Sequence, residues 1–359
     1  MAFEIVCCVS LRDPTLYHHL MPLARQPQIS RIWIVRHRKI DRGDMPKARY
    51  ILVPTRSKIW RFFRMIGICL QLARRKQVRA FVSFNPIPYG LFAFLAAKLY
   101  KKPIHFGFIG SDWNVHVKGR WGRFLLPFIR CADFITATGP NTQKEMTARD
   151  IPARKITILP HSIDLNRFTV GDPSTARYTA IFIGNLIHLK RVDLILQAFA
   201  QVIKSHPRAR LCIVGDGPLA QPLKQQARKL DISQAVDFVG YVNDVRPYLA
   251  DARMVIIASE HEGFPFALVE GICTGLVPVS TPVGTIPHMI ADGENGLLFP
   301  AGDADALAQS IHRLLNDEEF YQRLRNNSLQ RRTEFAYDNA AAVWQRWLHA
   351  LPNTSKPYR

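Results

Sequence analysis

The sequence predicts two α/β domains in tandem, each a parallel β-sheet wrapped by helices. Short β-branched runs alternate with helix-length amphipathic segments from end to end, which is the pattern of βαβ units. With 359 residues, 48% of them hydrophobic, the chain can fill two ordinary cores. A polar stretch over 164–177, holding Gly171, Asp172, Pro173 and Ser174, has the composition of a linker between them.

In the first half the runs that read as strands are 3–9, 32–36, 79–84, 104–108, 134–137 and 156–159. In the second half they are 179–183, 209–214, 236–239, 254–257, 277–280 and 296–299. Beyond residue 299 the periodicity is helical only, over 304–315, 318–332 and 339–351. The predicted domains are therefore 1–168 and 178–335. A helix and tail follow over 336–359, with a return to the first domain left open.

The formal net charge of +20 sits almost wholly in one half. Residues 1–165 hold 28 Lys+Arg against 9 Asp+Glu, whereas residues 166–359 hold 20 against 19. No acidic residue stands between Asp44 and Asp112, a span with 13 Lys and Arg. Within it Lys58, Arg61, Arg64, Gln71 and Arg75 recur near helical spacing, with Trp60, Phe62, Phe63, Met65, Ile66, Cys69 and Leu70 around them. A basic amphipathic helix of this kind lies against anionic lipid, so an anionic membrane surface is an expected partner. Nucleic acid is not, because no helix-turn-helix, RNP or KH-like pattern accompanies the charge.

The six cysteines are scattered through apolar segments without metal-ligand spacing, and they read as reduced core residues. The N-terminus lacks the basic flank of a signal peptide, and no apolar run reaches the roughly 18 residues that span a bilayer. A cytoplasmic protein, peripheral on the inner face of the membrane, is expected. Asp303-Ala-Asp305 follows Pro-Ala-Gly and opens an apolar-periodic run, so it reads as the cap and first turn of a helix rather than a metal site. The Gly-x-Gly-x-x-Gly of nicotinamide enzymes is absent after the first strand.

The segment richest in chemistry is Glu262-Gly-Phe-Pro-Phe-Ala-Leu-Val-Glu270, preceded by a strand and Ser259. If a helix opens at Gly263–Phe264, Glu262 lies at its mouth and Glu270 about two turns along it. Free N–H groups and the positive dipole end at such a start suit a diphosphate. A carboxylate at the mouth can accept from sugar hydroxyls, and one farther in can hold both hydroxyls of a ribose. Two glutamates on a helix are by themselves commonplace, and the neighbouring elements add weight. Gly275-Leu-Val-Pro-Val-Ser-Thr-Pro-Val-Gly284 and Asp292-Gly-Glu-Asn-Gly-Leu-Leu-Phe299 follow, and Phe182-Ile-Gly184-Asn185-Leu-Ile-His-Leu-Lys190, Ile213-Val-Gly-Asp-Gly-Pro218 and Val239-Gly-Tyr-Val242 precede.

These blocks, over residues 178–335, resemble glycosyltransferase family 4, retaining enzymes of the GT-B fold. The resemblance implies two Rossmann-like domains facing a central cleft, the first binding acceptor and the second a nucleotide sugar. It implies that Lys190 contacts the donor diphosphate, Glu262 the transferred sugar and Glu270 the ribose. The N–H groups of Gly263 and Phe264 would take the phosphates. Gly215, Gly217 and Gly240 to Val242, with Tyr241 between, would line the nucleotide, alongside Gly184 and Asn185. Asn185 stands where the family usually has an arginine, and an amide can still donate to phosphate.

In the first half the resemblance is weaker. Ile109-Gly-Ser-Asp112 is similar to a His-Gly-x-Asp loop with Ile109 for the histidine, and Asp112 and Arg12 are candidate contacts. His105, inside a strand, reads as a core residue. Leu159-Pro-His161-Ser-Ile-Asp164 resembles the element that closes the first domain. The implied activity is metal-independent and cofactor-free hexose transfer from a UDP- or GDP-sugar to a lipid-linked or surface-polysaccharide acceptor. The alternative is a catalytically silent binder of nucleotide sugars or polyanions.

Overall fold

Among the residues described by the computed structural model, thirteen strands pair into two all-parallel sheets. The described residues are 2–11, 13–37, 45–53, 57–84, 86–109, 113, 117, 122–263 and 265–352. The first sheet comprises β1 (Phe3–Cys8), β2 (Ile29–Arg36), β3 (Ala48–Leu52), β4 (Val78–Ser83), β5 (Ile104–Gly107), β6 (Phe134–Ala137) and β7 (Ile156–Ile158), in the order β3-β2-β1-β4-β5-β6-β7. The second comprises β8 (Tyr178–Ile183), β9 (Leu211–Val214), β10 (Val236–Gly240), β11 (Ala252–Ile257), β12 (Val277–Ser280) and β13 (Leu297–Leu298), in the order β10-β9-β8-β11-β12-β13. Their central strands are buried on both faces, as continuous runs such as Phe3-Glu-Ile-Val-Cys-Cys8 and Met254-Val-Ile-Ile257 require.

β3 is the one strand that the periodicity does not disclose. Ala-Arg-Tyr-Ile-Leu carries a single β-branched residue, and it lies at the sheet edge, where only β2 pairs with it, from Ile32 opposite Ala48 to Arg36 opposite Leu52. One-sided pairing relaxes the demand for apolar residues on both faces.

The chain forms two compact units, Met1–Ser162 with Tyr337–Arg359, and Ile163–Ala336. The stretch expected to be a linker is part of the second unit. Ile163 is fully buried and bridges to Ala336, and the N–H of Gly171 donates to Thr274 O at 3.0 Å. Arg332 Nη2 donates to Leu165 O at 2.7 Å and to Phe168 O at 2.6 Å. Polar composition there reflects backbone groups satisfied by arginine side chains rather than by a ladder.

Helix Tyr337–Ala350 completes the first unit. Gln26 Nε2 donates to Ala341 O at 3.0 Å, and Trp347 stacks on Phe134 with ring centroids 5.7 Å apart. Trp344, fully buried, meets Phe84 and His105 edge-on. Helix Ala304–Asn316 in the second unit is capped by Asp303, which accepts from the N–H of Ala306 at 2.8 Å. Five cysteines are buried as the sequence predicts, but Cys131 is exposed, because it falls just past helix Gly122–Arg130.

Candidate active site

β8 and β11 are neighbours in the second sheet, yet the chain leaves β8 toward β9 on one side and β11 toward β12 on the other. Loops that leave adjacent parallel strands in opposite directions open a crevice at their carboxyl ends. Gly184 to Lys190 follow β8, and Ser259 to Gly263 follow β11.

Lys190 closes a 3₁₀ turn, His188–Lys190, after which Arg191 takes φ 48° and ψ 44° and helix Val192–Ser205 begins. The Lys190 ammonium donates to Glu262 Oε1, with the carboxylate side chain 8% and the lysine side chain 22% exposed. Breaking a buried pair by removing one partner leaves the other charge uncompensated, so the two are mutually dependent. Two contacts fasten their loops together: the N–H of Glu260 donates to Leu189 O at 3.0 Å, and Arg191 Nη1 donates to Glu260 Oε1 at 2.9 Å. Arg191 also grips Asp193 through Nε and Nη2, and hydrogen bonding to Asp193 and Glu260 raises its pKa further above the usual arginine value.

Glu262 is supported from behind. The hydroxyl of Ser259, itself fully buried, donates to Glu262 Oε1 at 2.7 Å. Thr281 Oγ1 donates to Ser259 O at 2.7 Å and Thr285 Oγ1 to Gly263 O at 3.0 Å. Gly284 has φ 61°, and a Cβ there would stand 1.8 Å from Glu262 O. These four residues were not among the site candidates read from the sequence; the signals available were the Ser-x-x-Glu spacing and a glycine between Val283 and Thr285.

The glycines pack backbone on backbone. Gly184 N–H donates to Val214 O, Leu186 N–H to Asp216 O, and Gly215 N–H to Gly240 O at 2.8 Å. A Cβ at Gly215, where φ is 142°, would lie 1.8 Å from Gly184 O, and one at Gly217 would lie 2.4 Å from Leu186 O. The loops after β8 and β9 thus lie closer than any side chain permits, and the end of β10 is tied to them through the Gly240 carbonyl. Asn185 accepts from the N–H of Ile187 through its backbone oxygen. Tyr241 stands 62% exposed past β10, while Val242 packs against the core beside β11.

The helix after Glu262 starts later than expected. It runs Phe266–Thr274 with Pro265 as N-cap, and the N–H groups of Leu268 and Val269 turn back to Pro265 O. Pro265 holds extended backbone at φ −83° and ψ 99°, so the helix opens only after it. Gly263 therefore lies in the preceding bend and Glu270, half-buried, about one turn into the helix rather than two. Phe264, Arg12 and Asp112 lie outside the described residues.

Residues 167–331 match the family described as glycosyl transferases group 1. The N-acetyl-alpha-D-glucosaminyl L-malate synthase of Bacillus anthracis is 28% identical over 71% of this chain and 70% of its own. An alpha-1,4-N-acetyl-D-galactosaminyltransferase of Campylobacter jejuni, named for a PP-undecaprenol-linked glycan, is 31% identical over 48% of this chain. The chain spans about half of that enzyme's length, 48%. Among solved structures, HepE of Anabaena in complex with UDP-glucose superposes with a TM-score of 0.80 at 15% identity, covering 97% of this chain and 100% of that one. The expected GT-B fold, two parallel-sheet α/β domains, is the observed one.

Proposed function

We propose, from the match of residues 167–331 to the glycosyl transferases group 1 family, that the chain is a retaining hexosyltransferase. It moves the sugar of a UDP- or GDP-linked donor to a lipid-linked or surface-polysaccharide acceptor. The observation that carries the reading is the Lys190–Glu262 contact at the crevice between β8 and β11.

In this mechanism the acceptor oxygen bonds to the anomeric carbon on the face from which the diphosphate departs, and the acceptor proton passes to the departing phosphate oxygen. Negative charge grows on that diphosphate. Lys190, released from Glu262 as the donor enters, and the N–H groups of the Gly263 bend stabilise it, the kind of preorganised positive potential that lowers such barriers most. Lys190 supplies the positive charge, so no metal ion is invoked. Glu262, freed in turn, accepts hydrogen bonds from sugar hydroxyls, and Glu270 from the ribose. Gly184, Gly215, Gly217 and Gly240 let backbone approach the nucleotide.

The relatives' names support the acceptor class: one acts on a PP-undecaprenol-linked glycan, and LpsE of Rhizobium meliloti is a lipopolysaccharide core enzyme. Among the described residues no helix is long and apolar enough to cross a membrane. The acceptor is met instead by the basic first unit, docked on the anionic inner face of the cell membrane from the cytoplasm.

Purified protein given a membrane-lipid acceptor should release UDP or GDP from the matching sugar nucleotide. Lys190→Ala and Glu262→Ala should each cut release by about a hundredfold or more with an unchanged circular dichroism spectrum. Normal turnover in both variants defeats the assignment. A thermal-shift screen of sugar nucleotides identifies the donor, since a ligand of the native state raises its stability by mass action.

A further inference from the structure

Helices Lys58–Ala73, Leu91–Leu99 and Gly122–Arg130 form one layer over one face of the first sheet. Phe62 meets Phe92 edge-on with centroids 5.1 Å apart, and Phe94 meets Phe128 at 4.8 Å, so each helix packs on the next. Met65, Cys69, Phe92, Ala93 and Ile129 point inward and are buried. What points outward is not the polar stripe of a solvated helix. Ile59 is 72% exposed, Phe63 67%, Leu99 68% and Phe124 60%, with Trp60 and Leu95 close to half.

Soluble domains rarely gather so many large apolar side chains on one surface without a use for it. The setting of these is basic. The Arg64 guanidinium lies 4.7 Å over the Trp60 ring, Arg61 is next to it in the helix, Lys98 adjoins Leu99, and no acid occurs between Asp44 and Asp112. A second copy of the chain is a poor occupant, because a two-fold contact would oppose this basic face to itself, its neighbouring acids Asp133 and Asp150 being already paired with Lys98 and Arg130. Aromatic and aliphatic tips ringed by arginine and lysine fit an anionic lipid interface, where rings enter the acyl boundary and cations meet phosphate.

We propose that this three-helix face inserts Ile59, Trp60, Phe63, Leu99 and Phe124 into an anionic phospholipid surface. The proposal deepens the membrane docking above and rests on it for its purpose. Its new content is that apolar insertion, and not charge alone, holds the chain to lipid. Charge-only docking vanishes as salt screens it, whereas inserted side chains hold on.

The test is flotation with vesicles of phosphatidylcholine alone and of phosphatidylcholine with phosphatidylglycerol, at low and high salt. The wild type should float with the phosphatidylglycerol vesicles and retain a measurable part of that binding at high salt. Trp60→Ser with Phe63→Ser should lower partitioning at least tenfold and make the remainder fully salt-sensitive. Arg61→Gln with Arg64→Gln should reduce the preference for phosphatidylglycerol. Urea melts of the variants report whether the fold is kept, and Phe63→Ser alone serves if the double variant is unstable. Binding by the aromatic variant equal to wild type overturns the proposal. So does absence of wild-type binding, or a wild-type dimer that the aromatic variant converts to monomer. Release of UDP or GDP with a detergent-solubilised acceptor needs no vesicle, so failure here leaves the transferase reading separately decided.

Discussion

Ser259 and Lys190 donate to the same oxygen of Glu262, the hydroxyl at 2.7 Å from a fully buried position and the ammonium from the crevice side. The serine contact is held by the scaffold, since Thr281 fixes the Ser259 carbonyl. The lysine contact is the one free to exchange for a ligand. Lys190→Ala should therefore cut nucleoside diphosphate release by about 10²–10³-fold, the loss typical of removing one preorganised donor. Ser259→Ala should act through Glu262 and cost less, about tenfold or under, with a rise in donor KM that Ser259→Thr partly restores. Steady-state kinetics on the three proteins check both; equal losses for Lys190→Ala and Ser259→Ala would contradict the division of roles.

Gly284→Ala and Gly240→Ala separate steric from conformational cost. Both positions have positive φ, 61° and 81°, where an L-residue costs about 1–2 kcal/mol. At Gly240 nothing lies within 4 Å of a new Cβ, so that strain is the whole effect. At Gly284 the Cβ would meet Glu262 O at 1.8 Å, so the Glu262 loop must move. Urea melts should show Gly240→Ala mildly destabilised, and because Gly240 borders the proposed nucleotide site its activity should fall through a higher donor KM rather than a lower kcat. Gly284→Ala should lose more than tenfold in activity, and wild-type kinetics there would show that Glu262 does not depend on its loop.

Thiol labelling distinguishes the one exposed cysteine from the rest. Burial pushes the thiols of Cys212 and Cys273 up to about 12 and that of Cys7 higher still, so their reactive thiolates are scarce at neutral pH. Cys131 is exposed. An Ellman titration of native protein should give one fast thiol, absent in Cys131→Ser, with the other five appearing on unfolding.

The fold of the second unit was legible because its signals are local. Gly215 and Gly217 are fixed by close backbone approach, and they survive as a pattern in the chain. What escaped depends on contacts between distant segments. Thr281 and Gly284 reach Glu262 only because β12 lies beside β11, and nothing near Glu262 in sequence announces them. The helix start was misplaced by two residues because the pattern of Glu262 and Glu270 outweighed Pro265 in the reading. The outward aromatics of helix Lys58–Ala73 were visible as residues, but which of them face solvent followed only from Met65, Cys69 and Leu72 turning inward.

Stability of the first unit should fall as pH drops through the ordinary histidine range. His19, His105 and His161 are buried with Phe84 and Trp344 beside them, and His18 adjoins Tyr337. Burial, with some repulsion between the rings, pushes His19 and His105 down to about 3 and His161 well below 6.5. Between about 6.5 and 3 the unfolded chain binds protons that the folded one refuses, so the native state loses stability as pH falls. Each such group costs about 1.4 kcal/mol per pH unit, hence roughly 3 kcal/mol for His19 and His105 together one unit below 6.5. Urea midpoints at about pH 7.5 and 5.5, a window above the carboxylate range, should show that drop. His105→Phe removes one titrating group from the cluster, at the expense of the 2.9 Å contact between His105 Nε2 and Thr136 Oγ1. It should lower stability at neutral pH yet flatten the pH slope, and an unflattened slope would mean that His105 takes up its proton in the fold as readily as in the unfolded chain.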